Sequence, residues 1–210
     1  MGTASSSNWA RRGGYALVTL GIVVLIAIAA ALATPETPSY PVVIQRAQSG
    51  QSITLTQNLS ATLPTRDVRL AHIAVPDFDQ KPWGSAAQRY LDALWLAHTR
   101  KNQSAARIEP TQDTLDHYSR AWGNLYLKVK GGKELWANEE MLRSGYAYLE
   151  PGPGLSQRQR DRLIYAQEAA RLLGLGIWDP RNPLRETAAA FRQGSRNDTI
   201  GTPDPTLETE

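Results

Sequence analysis

At 210 residues the chain has room for one domain of ordinary size plus attachments. Its 41% hydrophobic and 20% charged content belongs to a globular chain, not a disordered one. With no cysteine it has no disulfide framework, no thiolate metal site and no cysteine nucleophile, and the net charge of +3, from 23 basic and 20 acidic residues, is only weak support for a polyanion partner.

Residues 1–14 are polar and small, with Arg11 and Arg12 near their end. From Tyr15 to Ala33 there is no charged residue. A helix that crosses the hydrocarbon core needs about 20 apolar residues, within a range of roughly 17–25. The run therefore predicts a transmembrane helix over 15–33. The paired arginines favour a cytoplasmic N-terminus, with everything after the helix on the outer, periplasmic side. A cleaved signal peptide is the alternative, because Ala31-Leu32-Ala33 has the small-x-small form of a cleavage site. The run is longer than a usual signal core, which favours the anchor. Both readings export the domain: single-pass at the membrane, or periplasmic or secreted if cut after Ala33. Residues 34–41, Thr34 to Pro41, form a proline-rich linker that stops a helix and holds the chain extended.

Val42-Val43-Ile44 is a β-branched run and predicts a strand; Ser49-Gly50-Gln51 is a turn; Ser52 to Thr56 alternates polar and apolar as a half-buried strand does. Asn58 to Thr65 reads as loop, and a third strand is expected from Asp67 to Ile73. Apolar residues at three- and four-residue spacing predict a helix over Ser85–Arg100 with Ser85 as its cap. Ala105–Glu109 is a short strand. Ala121–Lys130 alternates Leu125, Leu127 and Val129 with polar residues and ends at Gly131-Gly132, a hairpin signal. Glu134–Ser144 predicts a helix closed by Gly145, and Tyr146–Leu149 a last strand. Gln157–Leu173 predicts the longest helix, with Leu163, Ala166, Gln167, Ala170 and Leu173 on one stripe. Residues 181–210 read as a tail, partly disordered, in which Arg185–Arg192 has helical character.

Four landmarks follow one another in this order. They are Arg69-Leu70-Ala71-His72-Ile73-Ala74-Val75-Pro76, Tyr118-Ser119-Arg120-Ala121-Trp122-Gly123, Leu142-Arg143-Ser144-Gly145-Tyr146-Ala147 and Ile177-Trp178. Over residues 42–180 the chain resembles the staphylococcal nuclease (thermonuclease) family. The resemblance implies an α+β domain, an OB-fold five-stranded β-barrel with about three helices, placed after the single transmembrane helix.

For the chemistry, the resemblance implies a calcium ion held between two aspartates. One comes from an Asp-Gly-Asp turn and the other from an Ile-Asp-x-Pro-Glu turn, whose glutamate acts as general base on a water. Two arginines clamp the phosphate. A hard cation takes carboxylate oxygens and polarises the phosphate, and guanidinium forks bind its oxygens as charge builds. Here Arg69 and Arg120 match the arginines, and Asp77 stands for the glutamate, one methylene shorter. Ala74 stands where the second aspartate would be. The first turn, Ser49-Gly50-Gln51, has lost both carboxylates, and Gln51 offers one neutral carbonyl oxygen.

Two anionic ligands are missing, so no metal or other cofactor is expected. The residues point to a domain that has lost metal-dependent nuclease activity and serves as a binding or assembly module beside a protein partner at the membrane. The alternative is an active nuclease or phosphodiesterase with an altered metal site; calcium and nucleic acid belong to that alternative. The retained residues also have structural roles open to them: Arg69 pairing with Asp67 or Asp116, Arg120 pairing with Asp116, and Asp77 serving as a turn residue. His72, His117 and Asp77 form a further set of zinc-type donors. The domain's tryptophans read as core and rim packing.

Overall fold

The computed structural model describes residues 38–99 and 105–200, with side chains through Ser195. The predicted membrane segment, residues 15–33, lies outside the described residues, as does the first half of the linker, residues 34–37. No helix among the described residues is long and apolar enough to cross a membrane.

The chain runs β1 (Tyr40–Val42), β2 (Ile44–Ser49), β3 (Ser52–Leu55), β4 (Asp67–Leu70), β5 (Ile73–Ala74) and α1 (Trp83–Thr99). It continues through β6 (Ala106–Pro110), β7 (Ala121–Lys128), β8 (Glu134–Trp136), α2 (Ala137–Arg143), β9 (Tyr148–Leu149) and α3 (Gln157–Leu172). A 3-10 turn (Gly176–Trp178) and α4 (Ala188–Ile200) complete it. The main sheet has the order β1-β6-β7-β4-β3-β2, with β8 also on β7, and β5 pairs with β9 apart from it. β1 and β2 are consecutive in the chain yet stand at opposite ends of that order, so the sheet curls. The result is a mixed α+β fold, a curled half-barrel sheet with four helices, consistent with an OB-like fold.

Several elements differ from the sequence expectation, each for a local reason. The third expected strand breaks at Ala71-His72, where His72 takes a φ of 64°. Glu134–Trp136 is a strand, not the start of a helix, because the turn at Gly131-Gly132, with φ of 83° and 74°, folds it back onto β7 with Trp136 opposite Tyr126. The first helix starts at Trp83, so Ser85 is inside it and its hydroxyl donates to the Pro82 carbonyl at 3.2 Å. Leu173 leaves the buried stripe of α3: it is the C-cap residue and is 71% exposed. The last helix extends past Arg192, through Gly194 to Ile200.

The core is one cluster reaching from Val42 to Ala166. Ile53, Leu70, Ile108, Leu125 and Leu127 line the inside of the sheet with no exposed surface. Ala87, Leu91 and Trp95 of α1 close one side, while Leu163 and Ala166 of α3 pack on Met141 and Leu142 of α2. Gly50 lets the β2–β3 turn lie directly on α1, where an added Cβ would come within 2.5 Å of the Ala87 Cβ.

One polar residue fastens the centre. Asn138, at the start of α2, has no exposed surface. Its Nδ2 donates to the Ala71 carbonyl at 2.8 Å and the Gly123 carbonyl at 3.4 Å, and its Oδ1 accepts from the Leu125 N–H at 3.0 Å. Ala71 directly follows β4, while Gly123 and Leu125 are in β7, so one amide ties the two strands to α2. Asn138→Ala strands these buried backbone groups and should lower the unfolding free energy by about 3 kcal/mol, read by urea titration. A loss under about 1 kcal/mol would show that other contacts hold the seam.

Candidate functional site

The site forms on the β4–β7 seam, the parallel pairing in the main sheet. Its register sets Arg69 opposite Trp122. The Arg69 guanidinium carbon lies 4.7 Å from the centre of the Trp122 ring. Its Nη2 donates to Glu150 Oε2 at 2.7 Å. The arginine side chain is 12% exposed and the glutamate 47%. Arg69 Nε is buried without a hydrogen-bond partner. Glu150 follows β9, and its backbone N–H donates to the His72 carbonyl at 3.0 Å, which holds it against β4.

Arg120 is positioned by the tight turn that precedes β7, in which Ser119 takes a φ of 59°. Asp116 organises that turn. Its Oδ1 accepts from the backbone N–H of Tyr118 and of Arg120, both at 2.9 Å. Its Oδ2 accepts from Arg120 Nε at 3.0 Å, Arg120 Nη2 at 2.8 Å and Trp122 Nε1 at 3.0 Å. Burial alone would raise the Asp116 pKa, but the Trp122 indole N–H and the Arg120 side chain and backbone outweigh it and hold the carboxyl well below the usual carboxylate range. The structure thus brings Arg69 and Arg120 together through Trp122, which stacks on one and shares a carboxylate with the other.

The remaining positions that the resemblance singles out are also engaged. Gln51 Oε1 accepts from the Val75 N–H at 3.2 Å. Ala74 is buried in β5, opposite Tyr148. Asp77 Oδ2 is 2.9 Å from Arg192 Nη1 of α4, and its Oδ1 accepts from the Asp79 N–H at 3.3 Å. Gln80 braces the same turn, accepting from the Asp77 N–H at 2.7 Å and donating to the Glu186 carbonyl at 3.1 Å.

These residues do not fit a calcium ion. Ala74 has no donor, the Gln51 oxygen is taken by a backbone N–H, and Asp77 is the one carboxylate left, paired to a cation. Among the described residues no group of three or more His, Asp or Glu is placed to hold a metal. The zinc-type set is therefore not assembled: His117 packs on the Tyr118 ring at 3.8 Å, and His72 is buried elsewhere. Burial, and then the charge of Arg160, lower the His72 pKa and keep its ring neutral at pH 7.

The sequence placed Arg69, Asp77 and Arg120 but missed two of their partners. Asp116 stands four residues before Arg120, a legible spacing, whereas Glu150 and Arg192 lie 81 and 115 residues from their partners. No local pattern marks either.

A family model described as staphylococcal nuclease homologue matches residues 67–180, more than half of the chain, from β4 through the 3-10 turn. A search of curated proteins returns no match.

Two titrations at the site should shape the acid stability, alongside those of Glu134 and Asp179, which arginine partners also hold low. Folding lowers both pKa values, so below each ordinary value the unfolded chain binds more protons and stability falls as pH falls. The loss tied to His72 begins near pH 6.5 and that tied to Asp116 near pH 3.9. Urea titrations between pH 7 and 3 should show Asp116→Asn flattening the limb below about pH 4 while leaving the earlier loss in place. An unchanged lower limb would remove Asp116 as its source.

Proposed function

The chain belongs to the staphylococcal nuclease homologue family, and we propose that this member is a non-catalytic binding module. In this reading residues 15–33 anchor it in the membrane, residues 1–14 are cytoplasmic and residues 34–41 are the linker. Residues 42–180 form the domain, an OB-type barrel; its main sheet has seven strands against the five expected, six if β1 and β2 count as one strand kinked at Val43, the short β8 being the extra one. It stands on the outer, periplasmic side, with residues 181–210 as its tail, and takes a protein partner at or in the membrane. It needs no metal.

One observation carries the reading. Each polar side chain at a matching catalytic position already has a partner within the protein: Arg69 Nη2 meets Glu150, Arg120 meets Asp116, Asp77 meets Arg192 and Gln51 meets the Val75 N–H, while Arg69 Nε stays buried. A phosphodiester approaching the arginines meets guanidinium groups that each already hold a carboxylate. Displacing such a partner leaves a partly buried charge unpaired, which costs free energy that a single phosphate contact does not recover.

The test is cleavage of plasmid and single-stranded DNA by the full chain in detergent, with calcium, magnesium or zinc, beside the Arg69→Ala/Arg120→Ala variant. The expected result is no cutting above that variant with any metal. Cutting that disappears in the variant would hand the chain to the nuclease alternative. The anchor has its own measurement: the full chain should stay in the membrane pellet through alkaline extraction, and release into the supernatant would remove it.

A further inference from the structure

The outer face of α3 carries an apolar surface that none of the positions discussed so far uses. The helix buries Leu163, Ala166 and Ala170 and leaves Tyr165 and Leu172, two turns apart, in the open. Seven large apolar side chains are widely exposed among the described residues, and five of them are Ile164, Tyr165, Leu172, Leu173 and Leu175. Leu172 is 87% exposed and Tyr165 75%, so these side chains stand clear of their neighbours. The turn that ends the helix holds the leucines there: the Leu173 N–H donates to the Ala169 carbonyl and the Gly174 N–H to the Arg171 carbonyl, both at 3.1 Å, and Gly174 takes a φ of 61°. So concentrated an exposed apolar surface marks a contact with something outside the domain. Around it, residues 157–181 carry five arginines and three acidic residues. Arg171 holds Glu168 and Arg181 holds Asp179, while Arg158 and Arg160 form no ion pair among the described residues, so the rim is positive.

We propose that this face rests on the bilayer, with Leu172, Leu173 and Leu175 entering the edge of the hydrocarbon region and the arginines on acidic phospholipid headgroups. The inference rests on the anchor of the reading above and says which side of the domain meets the membrane. Reach, shape and charge select the bilayer. The predicted anchor ends at Ala33 and β1 begins at Tyr40, so six residues, about 20 Å at full stretch, tether the domain and keep the bilayer surface at high local concentration. A run of packed side chains leads from that tether to α3. Ser39 Oγ accepts from Arg107 Nη1 at 3.0 Å, Arg107 lies over the Tyr126 ring, Tyr126 stacks on Trp136, and Arg162 of α3 lies over Trp136. The tether therefore enters beside α3. Leucines that stand clear of the surface fit acyl chains, which mould themselves around each side chain, whereas a protein surface would need a matching socket for each. The arginine rim and Tyr165 suit the headgroup layer, where cations meet acidic phosphates and tyrosine rings settle.

The test uses the full chain reconstituted into vesicles of phosphatidylcholine, alone or with an equal part of phosphatidylglycerol. The chain has no cysteine, so Leu173→Cys takes a single fluorophore, and Ala61→Cys, on the exposed loop after β3, gives the reference site. Lipids brominated on their acyl chains supply the quencher. The Leu173 label should be quenched, more strongly in the acidic vesicles, and the Ala61 label should not. Adding Tyr165→Asp and Leu172→Asp to the Leu173→Cys chain should drop the quenching to the level of the Ala61 label. Both replaced side chains are exposed, and an unchanged thermal unfolding curve would confirm the fold of that variant. No quenching of the Leu173 label in either vesicle, or equal quenching of the two labels, overturns the contact. Disulfide-linked dimers of unlabelled Leu173→Cys in place of quenching assign the face to a second copy of the chain and overturn it as well. Alkaline extraction separates the anchor from this face. A chain that stays in the pellet without quenching keeps its anchor and loses the face alone, and a chain that alkali releases loses both.

Discussion

The structure depends on the parallel contact between β4 and β7. These strands are about fifty residues apart in the chain, with β4 starting at Asp67 and β7 at Ala121. Parallel neighbours cannot be joined by a tight turn, so the segment between them must travel out and back, here as β5, α1 and β6. Nothing local fixes their register. Asn138 does so from a third element, with one fully buried amide bonded to the backbone at both strands. The register then sets Arg69 beside Trp122, and Trp122 reaches Asp116 and so Arg120. A slip of one residue would send Arg69 to the opposite face and dissolve the whole arrangement.

On that frame the charges are arranged to satisfy one another. Arg69 is too deeply set to be solvated freely, and its carboxylate partner comes from the segment after β9. Arg120 is held in its turn by a carboxylate that five donors address. Such pairs contribute little net stability once desolvation is counted, but breaking one partner away leaves the other charge exposed to the low-dielectric wall. On the non-catalytic reading the same physics makes the arginines poor captors of an outside anion. A phosphate clamp works when its forks are held ready and unpaired; here each guanidinium already holds a carboxylate through at least one arm.

Much of this was legible in the sequence, and the division follows distance along the chain. The four landmarks in order pointed to the family, and alternation gave most of the strands, because those signals are local. Arg69, Asp77 and Arg120 were found the same way. What escaped depended on contacts made only after folding. Leu173 matches the periodic stripe of α3, but the helix has already ended there. Glu134–Trp136 has helix-compatible residues, yet the Gly131-Gly132 turn delivers them to an open edge of β7. His72 sits in what reads as an unbroken strand, and its left-handed backbone conformation follows from the path between β4 and β5, not from its own preferences. The tail carries Arg192, whose pairing with Asp77 joins residues 115 apart.

Trp122 connects these strands of argument. Its ring supports Arg69, its indole N–H helps hold Asp116 and through it Arg120, and its edge lines the cavity beside His72. A clamp for phosphate needs arginines with open forks, whereas a rigid pocket wall needs an indole that cannot rotate. Both arginines serve the second requirement: one lies on the face of the ring, and the other is locked to the carboxylate that holds its N–H. The inherited arginines can therefore be retained for what they do to Trp122. On the non-catalytic reading their presence needs no hydrolysis to explain it: one arginine packs on the Trp122 ring and the other shares Asp116 with the indole N–H.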